Sequence, residues 1–549
     1  MDFIQTAPTL DNQFRHDRVL RSWLGRALPA TTRAAIEPDL DALGALAAQA
    51  WQAAREHAPQ VPVLTQWGAW GERVDRIELT PTWQAGAALT ARYGFVAAGH
   101  ASSHGAHARC DQFLRVYLWH VASEFYTCPL AMSDGAATAL KAAGETALME
   151  RALPRLLARD AARLWLSGQW MTETAGGSDV GRTGTLARRD AQGEWRLYGR
   201  KWFSSAVVGD MALALARPEG APAGTDGLAL FYLETRTPDG AWNGIRVDRL
   251  KDKLGTCELP TAEIHLEGTR AQVIGEAAHG VRLIAPVLNI TRTWNAVGAV
   301  ASMRRCLALA LDHAARREVF GRPLIGQPLH RATLAALAAE FEAAFHLTFH
   351  VVELLGRVEH GDAGSRDLLR VLTPLAKLWT GKLAVRIASE ACEAYGGAGY
   401  IENTGMPLLL RDAQVYPIWE GTTNVLALDT LRALGSIGLD PLQQAVDALL
   451  DEAGEDRHGI RAALAEAATW LTRHAGERDM LEAGARGFAF TLARVFAAAL
   501  LARHAAWAER ASGDARPAAA LALFARRGLT RLGGPGMDAV ALLIDNPDA

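Results

Sequence analysis

The sequence predicts an α+β protein with its helices and strands segregated along the chain. An N-terminal helical domain (1–164) precedes a middle β domain (165–275), a helical domain (276–436) and a C-terminal helical extension (437–549). Three observations lead there. Half of the 549 residues are hydrophobic and 21% are charged, which excludes a disordered chain and supplies several cores. Hydrophobic periodicity is helical, then short and alternating, then helical again. No strand–GxGxxG–helix unit and no Walker lysine occurs, so a βαβ architecture is excluded.

The elements follow in order. Residues 12–26 are polar and basic, and Leu40 to Arg55 reads as an amphipathic helix. The stretch 61–83 is rich in Gly and Pro and reads as a loop or short hairpin. From about 87 to 168 the pattern is helical, with breaks near Gly105 and Pro129. Pro154 suits the first turn of a short helix, or the linker before one.

From Trp165 the segments shorten. EWRLYGRKWFSS, MALALARP, LALFYLETR and AEIHLEG are strand-like runs bounded by Gly, Pro and Asp. Helices are then predicted over 295–317, 331–358, 367–395 and 423–433. The last region is Ala/Leu/Arg-rich, with breaks near Gly454, Gly513 and Gly533–Gly536.

The chain carries 57 basic and 60 acidic residues, a net charge of −3, so no global pull toward nucleic acid exists. Its five cysteines are scattered without metal-ligand or redox-motif spacing. They read as reduced thiols of a cytoplasmic protein, and no metal is expected. Only six of the basic residues are lysine, a bias that fits a GC-rich bacterial genome. The first residues lack a basic stretch followed by an apolar run, so no signal peptide is expected. No run of about 18 uncharged apolar residues occurs, so no membrane span is expected.

Four segments could carry chemistry. In Met171–Asp179, Gly176 and Gly177 let backbone approach a ligand, and the Thr172 and Ser178 hydroxyls can bond phosphate or carbonyl oxygens. The same residues also make an ordinary polar turn. Lys201–Ser205 ends a strand, where Trp202 and Phe203 beside hydroxyls either hold a flat heterocycle or simply pack. Arg316–Gly321 lies at a helix C-terminus, as a phosphate fork or as dipole complement. In Tyr416–Asn424 a carboxylate, Glu420, sits between Ile418-Trp419 and Gly421 before a helix. Apolar neighbours raise a carboxylate's pKa and suit it to general base work. The alternative is an acid favouring the helix N-terminus.

In this order on an α-β-α background, these segments resemble the acyl-CoA dehydrogenase flavoproteins. The resemblance rests on MTETAGGSD (171–179), KWFSS (201–205), RREVFG (316–321), AYGGAGY (394–400) and IWEGTTNVLALDTLR (418–432). GERVDRIELTPTW (71–83), LKDKLG (250–255) and FGRPLIGQPLHR (320–331) look like the AidB-like adaptive-response branch. The implied fold is an N-terminal helical domain, a β-barrel or sandwich, a four-helix bundle and an extra C-terminal helical domain.

The resemblance implies bound FAD. Gln169, Met171, Thr172, Gly177 and Ser178 would meet it through one loop, and Phe203, Ser204 and Ser205 through another. Thr172 is expected at the flavin ring and Ser205 near flavin N5. Arg317, Phe320, Gln327, Gly396 and Gly397 match residues that reach the cofactor, with Arg317 serving a neighbouring subunit in a homotetramer. Thr422 and Asn424 match FAD contacts, Ser178, Arg292 and Gly421 match substrate contacts, and Glu420 matches the catalytic base. The implied reaction is α,β-dehydrogenation of an acyl-CoA, with an unnamed electron acceptor.

Three positions depart from the family pattern. Gln327 follows Phe320 by seven residues rather than eight, Leu288–Thr291 holds no acidic residue before Arg292, and Glu393 replaces a common glutamine. The substrate expected is therefore an unusual or bulky acyl thioester.

The branch implies an alternative, a DNA-associated flavoprotein that protects against alkylation. Residues 441–549 contain 12 arginines, no lysine and 14 acidic residues, a net of −2, which supports DNA binding weakly. A third reading makes these helices an oligomerisation element covering the core.

Overall fold

The structure, a computed structural model, describes residues 5–56, 60–454, 456, 458–533, 540 and 542–544. It divides into two compact units: Met1–Ala48, His104–Cys110 and Asn295–Ala549 in one, Gln49–Ser103 and Asp111–Trp294 in the other. The extension thus belongs to the same unit as the helices it follows, and most of the N-terminal helical region belongs with the strands.

The first helix, α1 (Arg18–Ala27), is capped by the Asp17 carboxylate, which accepts from the Leu20 N–H. Next, α2 (Ala30–Ala53) starts ten residues before the expected Leu40 and takes Pro38 inside it. Its buried stripe begins at Ile36 and runs through Leu40, Leu43 and Ala47. The polar residues before Ile36 hid this start. Residues 61–83 form the hairpin β1 (Val63–Trp67) and β2 (Arg73–Glu78). Thr80 then caps α3 (Pro81–Tyr93), with Pro81 in the tolerated first turn.

After α4 (Ala108–Trp119), Pro129 lies in the first turn of α5 (Thr127–Ala143) rather than at a break. In α6 (Thr146–Leu156), Pro154 occupies the last turn, not the first turn or the preceding linker. The helix stops two residues on, at Leu156, and the N–H of the cap residue Leu157 bonds the Leu153 carbonyl.

Seven strands follow: β3 (Ser167–Trp170), β4 (Leu186–Arg189), β5 (Trp195–Ser205), β6 (Met211–Pro218), β7 (Ala229–Glu234), β8 (Ile245–Leu250) and β9 (Thr261–Ile274). Their order is β3-β6-β4-β5-β9-β7, with β8 on β9. A further β6–β7 pairing closes the ring, as expected of a barrel. Trp170, Leu197, Phe231, Val247 and Ile264 belong to one apolar cluster. On the other face Leu213, Leu215, Leu230 and Ile274 pack against Ala136 and Leu140 of α5 and Leu156 of α6. Burial of each large aliphatic side chain contributes roughly 1.5–3 kcal/mol.

The long α7 (Gly280–Arg316) begins fifteen residues before the expected 295 and contains Pro286. A small hairpin, β10 (Glu318–Val319) and β11 (Arg322–Pro323), leads to α8 (Pro328–Glu359), α9 (Arg366–Ala394), α10 (Met406–Ala413) and α11 (Thr423–Ile437). The extension supplies α12 (Asp440–Ala453), α13 (Ile460–Arg473), α14 (Arg478–Ser512) and α15 (Arg516–Arg526). Gly454 and Gly513 end helices in left-handed conformations, as expected. Of the predicted Gly533–Gly536 break, residues 534–536 lie outside the described residues.

Within its unit α14 packs on α8, α9, α11, α12, α13 and α15. Arg494 bonds Glu340 of α8 at 2.8 Å while buried. By length and composition α14 could cross a membrane, contrary to the expectation that no segment could, but 83% of its apolar window is buried inside the protein. All five cysteines are free thiols, and no metal-binding group occurs among the described residues.

Candidate functional site

In the strand-bearing unit, the candidate residues lie in two segments held together. Gln169 is half-buried within β3, and the loop after β3 exposes Gly177 and Ser178. The Trp202 N–H donates to the Thr172 carbonyl at 2.9 Å, fastening this loop to β5. A second fastening is ionic. Lys201 is fully buried, and its Nζ donates to Glu173 Oε1 at 2.7 Å and to the Leu215 carbonyl at 2.8 Å. Glu173 also accepts from the Gly184 N–H at 2.7 Å and the Thr185 hydroxyl at 2.5 Å. Burial opposes ionisation of Glu173, but Lys201 outweighs it and holds the carboxyl below its ordinary value. Burial pushes the Lys201 amine down against the pull of Glu173.

At the end of β5 one ring is covered more than the other. Lys251 Nζ covers one face of the Trp202 ring at 3.3 Å. Phe203 is 47% exposed, so it is not a core residue. Ser205 shares a hydrogen bond with the Thr261 hydroxyl at 3.2 Å. The Ser204 hydroxyl and the Gln169 carbonyl oxygen are buried and have no hydrogen-bond partner among the described residues. Unpartnered buried polar atoms are rare in native proteins. Met171 packs against the apolar cluster instead, so only its backbone serves the loop. Arg292 lies half-buried in α7.

In the helical unit, Arg317 follows the end of α7, and its N–H bonds the His313 carbonyl. Phe320 is 96% exposed in a left-handed turn, φ 51°. Gln327 accepts from Arg322 at 2.9 Å and donates to the Val319 carbonyl at 3.1 Å, so its amide bonds at both ends within its own loop. Gly396 and Gly397 open the turn after α9, where Tyr400 is 93% exposed.

Glu420 follows the pattern the sequence suggested, with one sharpening. Thr422 is the true cap of α11, its hydroxyl accepting from the Val425 N–H. Glu420 stands two residues outside the helix, half-buried, at φ 56°. The hydrogen-bonded cap of α11 is therefore Thr422 and not Glu420. Asn424 Oδ1 accepts from Arg486 of α14 at 3.4 Å.

Three site residues were missed: Glu173, Asn295 and Lys377. Lys377 of α9 is fully buried and donates to the Gly421 carbonyl at 2.5 Å. Its signal was visible in the sequence, since a lysine interrupts the apolar run Leu375-Ala376-Lys377-Leu378-Trp379 in a chain with only six lysines.

Comparison with known proteins matches the whole span of these elements. Residues 5–161 match the adaptive response protein AidB N-terminal domain, 168–269 the acyl-CoA dehydrogenase middle domain, and 278–435 the acyl-CoA dehydrogenase C-terminal domain. Residues 441–522 match an acyl-CoA dehydrogenase 11 C-terminal domain-like family. The chain is 39% identical to acyl-CoA dehydrogenase family member 11 of Caenorhabditis elegans, over 92% of its length and 86% of the relative's. It is 35% identical to AidB of Escherichia coli (strain K12), over 73% of its length and 74% of the relative's. The crystal structure of Caenorhabditis elegans ACDH-11 in complex with C11-CoA superposes with a TM-score of 0.94 at 36% identity, covering 100% of this chain and 97% of that one.

Proposed function

The chain belongs to the acyl-CoA dehydrogenase family, and on that premise we propose that it oxidises the Cα–Cβ bond of an acyl-CoA thioester such as C11-CoA with Glu420 as its base. The family's oxidoreductases act on CH–CH groups and use FAD. The observation that supports the assignment is the place of Glu420, half-buried in a left-handed turn at φ 56° just before α11, whose cap is Thr422.

FAD, when bound, supplies the acceptor for the hydride that leaves Cβ. The chain's own residues do the rest. Gln169, Thr172, Gly177, Ser178, Ser204 and Ser205 offer polar atoms to hold it, and Phe203 offers a face. Arg317, Phe320, Gly396 and Gly397 are surface groups suited to a cofactor shared with a second copy of the chain. The Glu420 carboxylate takes the α-proton, and the electron pair of the Cα–H bond becomes the new double bond. Ser178, Arg292 and the Gly421 backbone are the substrate contacts. Large apolar side chains at Phe320, Leu329 and Tyr400 stand exposed in the single chain, which supports a homotetramer.

The test is anaerobic mixing of the purified protein with C11-CoA, followed through flavin absorbance. Bleaching is expected, with loss of about 10²–10⁴-fold in rate on Glu420→Gln while FAD stays bound. Parent-rate bleaching by Glu420→Gln would remove the base assignment. A Glu420→Gln protein without FAD would return that residue to a structural role.

A further inference from the structure

Glu420 holds φ 56°, a left-handed conformation in which a β-carbon crowds the backbone. Gly421 follows at φ 101°. Such a backbone persists only where its surroundings over-determine it. Here both neighbours of Glu420 are gripped by helices of the same unit. On one side the Trp419 indole N–H donates to Asn295 Oδ1 of α7. Asn295 in turn donates through Nδ2 to the Tyr416 carbonyl at 3.2 Å. The Tyr416 hydroxyl pairs with that of Ser302, also on α7, at 2.6 Å. On the other side Lys377 Nζ bonds the Gly421 carbonyl at 2.5 Å. Gly381, one helical turn further along α9, lets the chain lie close, since a β-carbon there would come within 3.0 Å of the Tyr416 carbonyl.

We propose that Lys377 and Asn295 are positioning residues: they clamp the turn Trp419–Gly421 from both sides and so aim the Glu420 carboxylate. Both are buried, at 0% and 3% exposure, so each bond is made without competing water. Neither residue needs to touch substrate. A lysine suits the task at Gly421 because it delivers a compact donor through a slim stem, where a planar guanidinium needs more room. The proposal rests on Glu420 as base. It assigns a role to a buried lysine that the proton transfer itself does not use.

The test uses the FAD-loaded protein and C11-CoA as probe, with Lys377→Met, Trp419→Phe and Glu420→Gln compared in parallel. In Lys377→Met the turn loses one grip. A misplacement of about 1 Å can cost about 10²-fold, so kcat for flavin reduction should fall by about 10- to 10²-fold while KM changes by less than about 3-fold. FAD content should match the parent. Hydrogen exchange should rise at the amides of 418–422 and stay at parent rates in the middle of α9. That second readout does not depend on turnover. Parent exchange rates together with parent kcat in Lys377→Met would overturn the clamp, whatever Glu420→Gln does. If Lys377→Met does not fold, Trp419→Phe decides. It removes the indole donor with part of the ring, and the same split between kcat and KM and the same local exchange are expected, with parent values again overturning the clamp. If Glu420→Gln keeps the parent rate, the base assignment fails and the clamp loses its catalytic purpose. If Glu420→Gln is slow and both clamp variants are fast, the clamp alone fails.

Discussion

Lys201 Nζ lies 2.7 Å from Glu173 Oε1, and the pair joins two segments 28 residues apart, with the lysine wholly buried. Removing one partner of a buried ion pair leaves an uncompensated charge, which costs about 3–5 kcal/mol. Lys201→Met should therefore lower urea-unfolding stability by about that much. The double variant Lys201→Met/Glu173→Leu should recover most of it, since apolar replacement of a whole buried pair is often neutral. Its loop would keep only the Trp202–Thr172 fastening, so FAD titrated into the apoprotein should bind more weakly than to the parent. Parent FAD affinity in the double variant would mean the pair serves stability alone.

Acid should weaken the helical unit. Arg26 Nε donates to His504 Nδ1 at 3.2 Å, which leaves His504 Nε2 to donate to the Ser22 hydroxyl at 3.0 Å. Such a ring is neutral. Burial, reinforced by Arg26, pushes His504 down to about 3. His346, whose ring lies 4.3 Å away, is pushed well below its ordinary value, first by burial and then by His504 and Arg26. The unfolded chain takes up these protons below a pH of about 6.5 while the folded one refuses them, so stability present above that pH falls as the pH drops toward about 3. The slope should be about 1 kcal/mol per pH unit for each histidine. Urea unfolding at pH 7, 6 and 5 reads it, and His504→Gln should flatten it. An unchanged slope in that variant would place the acid sensitivity elsewhere.

Assembly should depend on Phe320. It is 96% exposed in the single chain, beside the Arg317 segment proposed to serve a neighbouring FAD site. Phe320→Asp should yield smaller species by light scattering and release FAD more readily than the parent. A parent protein that is monomeric yet holds FAD tightly would remove the shared-site proposal.

Duplex DNA should bind weakly and with strong salt dependence. Several arginines of the extension are already committed: Arg461 to Asp447 and Asp451, Arg478 to Glu482, Arg494 to Glu340, and Arg516 to Asp514. With these neutralised in place and a net charge of −2 over residues 441–549, counterion release is limited. Nanomolar binding at physiological salt would overturn this expectation and favour a DNA-linked role.

Much of this was legible along the chain. The strand MALALARP is β6 to the residue, because a buried strand shows itself as a short apolar run bounded by turns. The segment around Glu420 could be read because its signal is local: an aromatic pair, a carboxylate, a glycine and a cap within seven residues. The starts of α2 and α7 were not legible. Their first turns are polar or carry a proline, and tertiary burial of Ile36 and of Ile284 and Val287 overrides those local signals.

The sequence by itself determined the family, the order of helices and strands, and the short motifs whose residues act on their own neighbours, as Thr422 does when it caps α11. Only the tertiary structure decided the partners of the two fully buried lysines. Lys201 finds Glu173, and Lys377 finds the Gly421 carbonyl 44 residues away. It likewise decided that Lys251 lies over the rings of both Trp202 and Phe203, with Phe203 still 47% exposed. A charge or a ring carries no address in the sequence. Its partner is set by which backbone the fold brings within about 3 Å, and in a buried site that partner settles whether the group is tolerated at all.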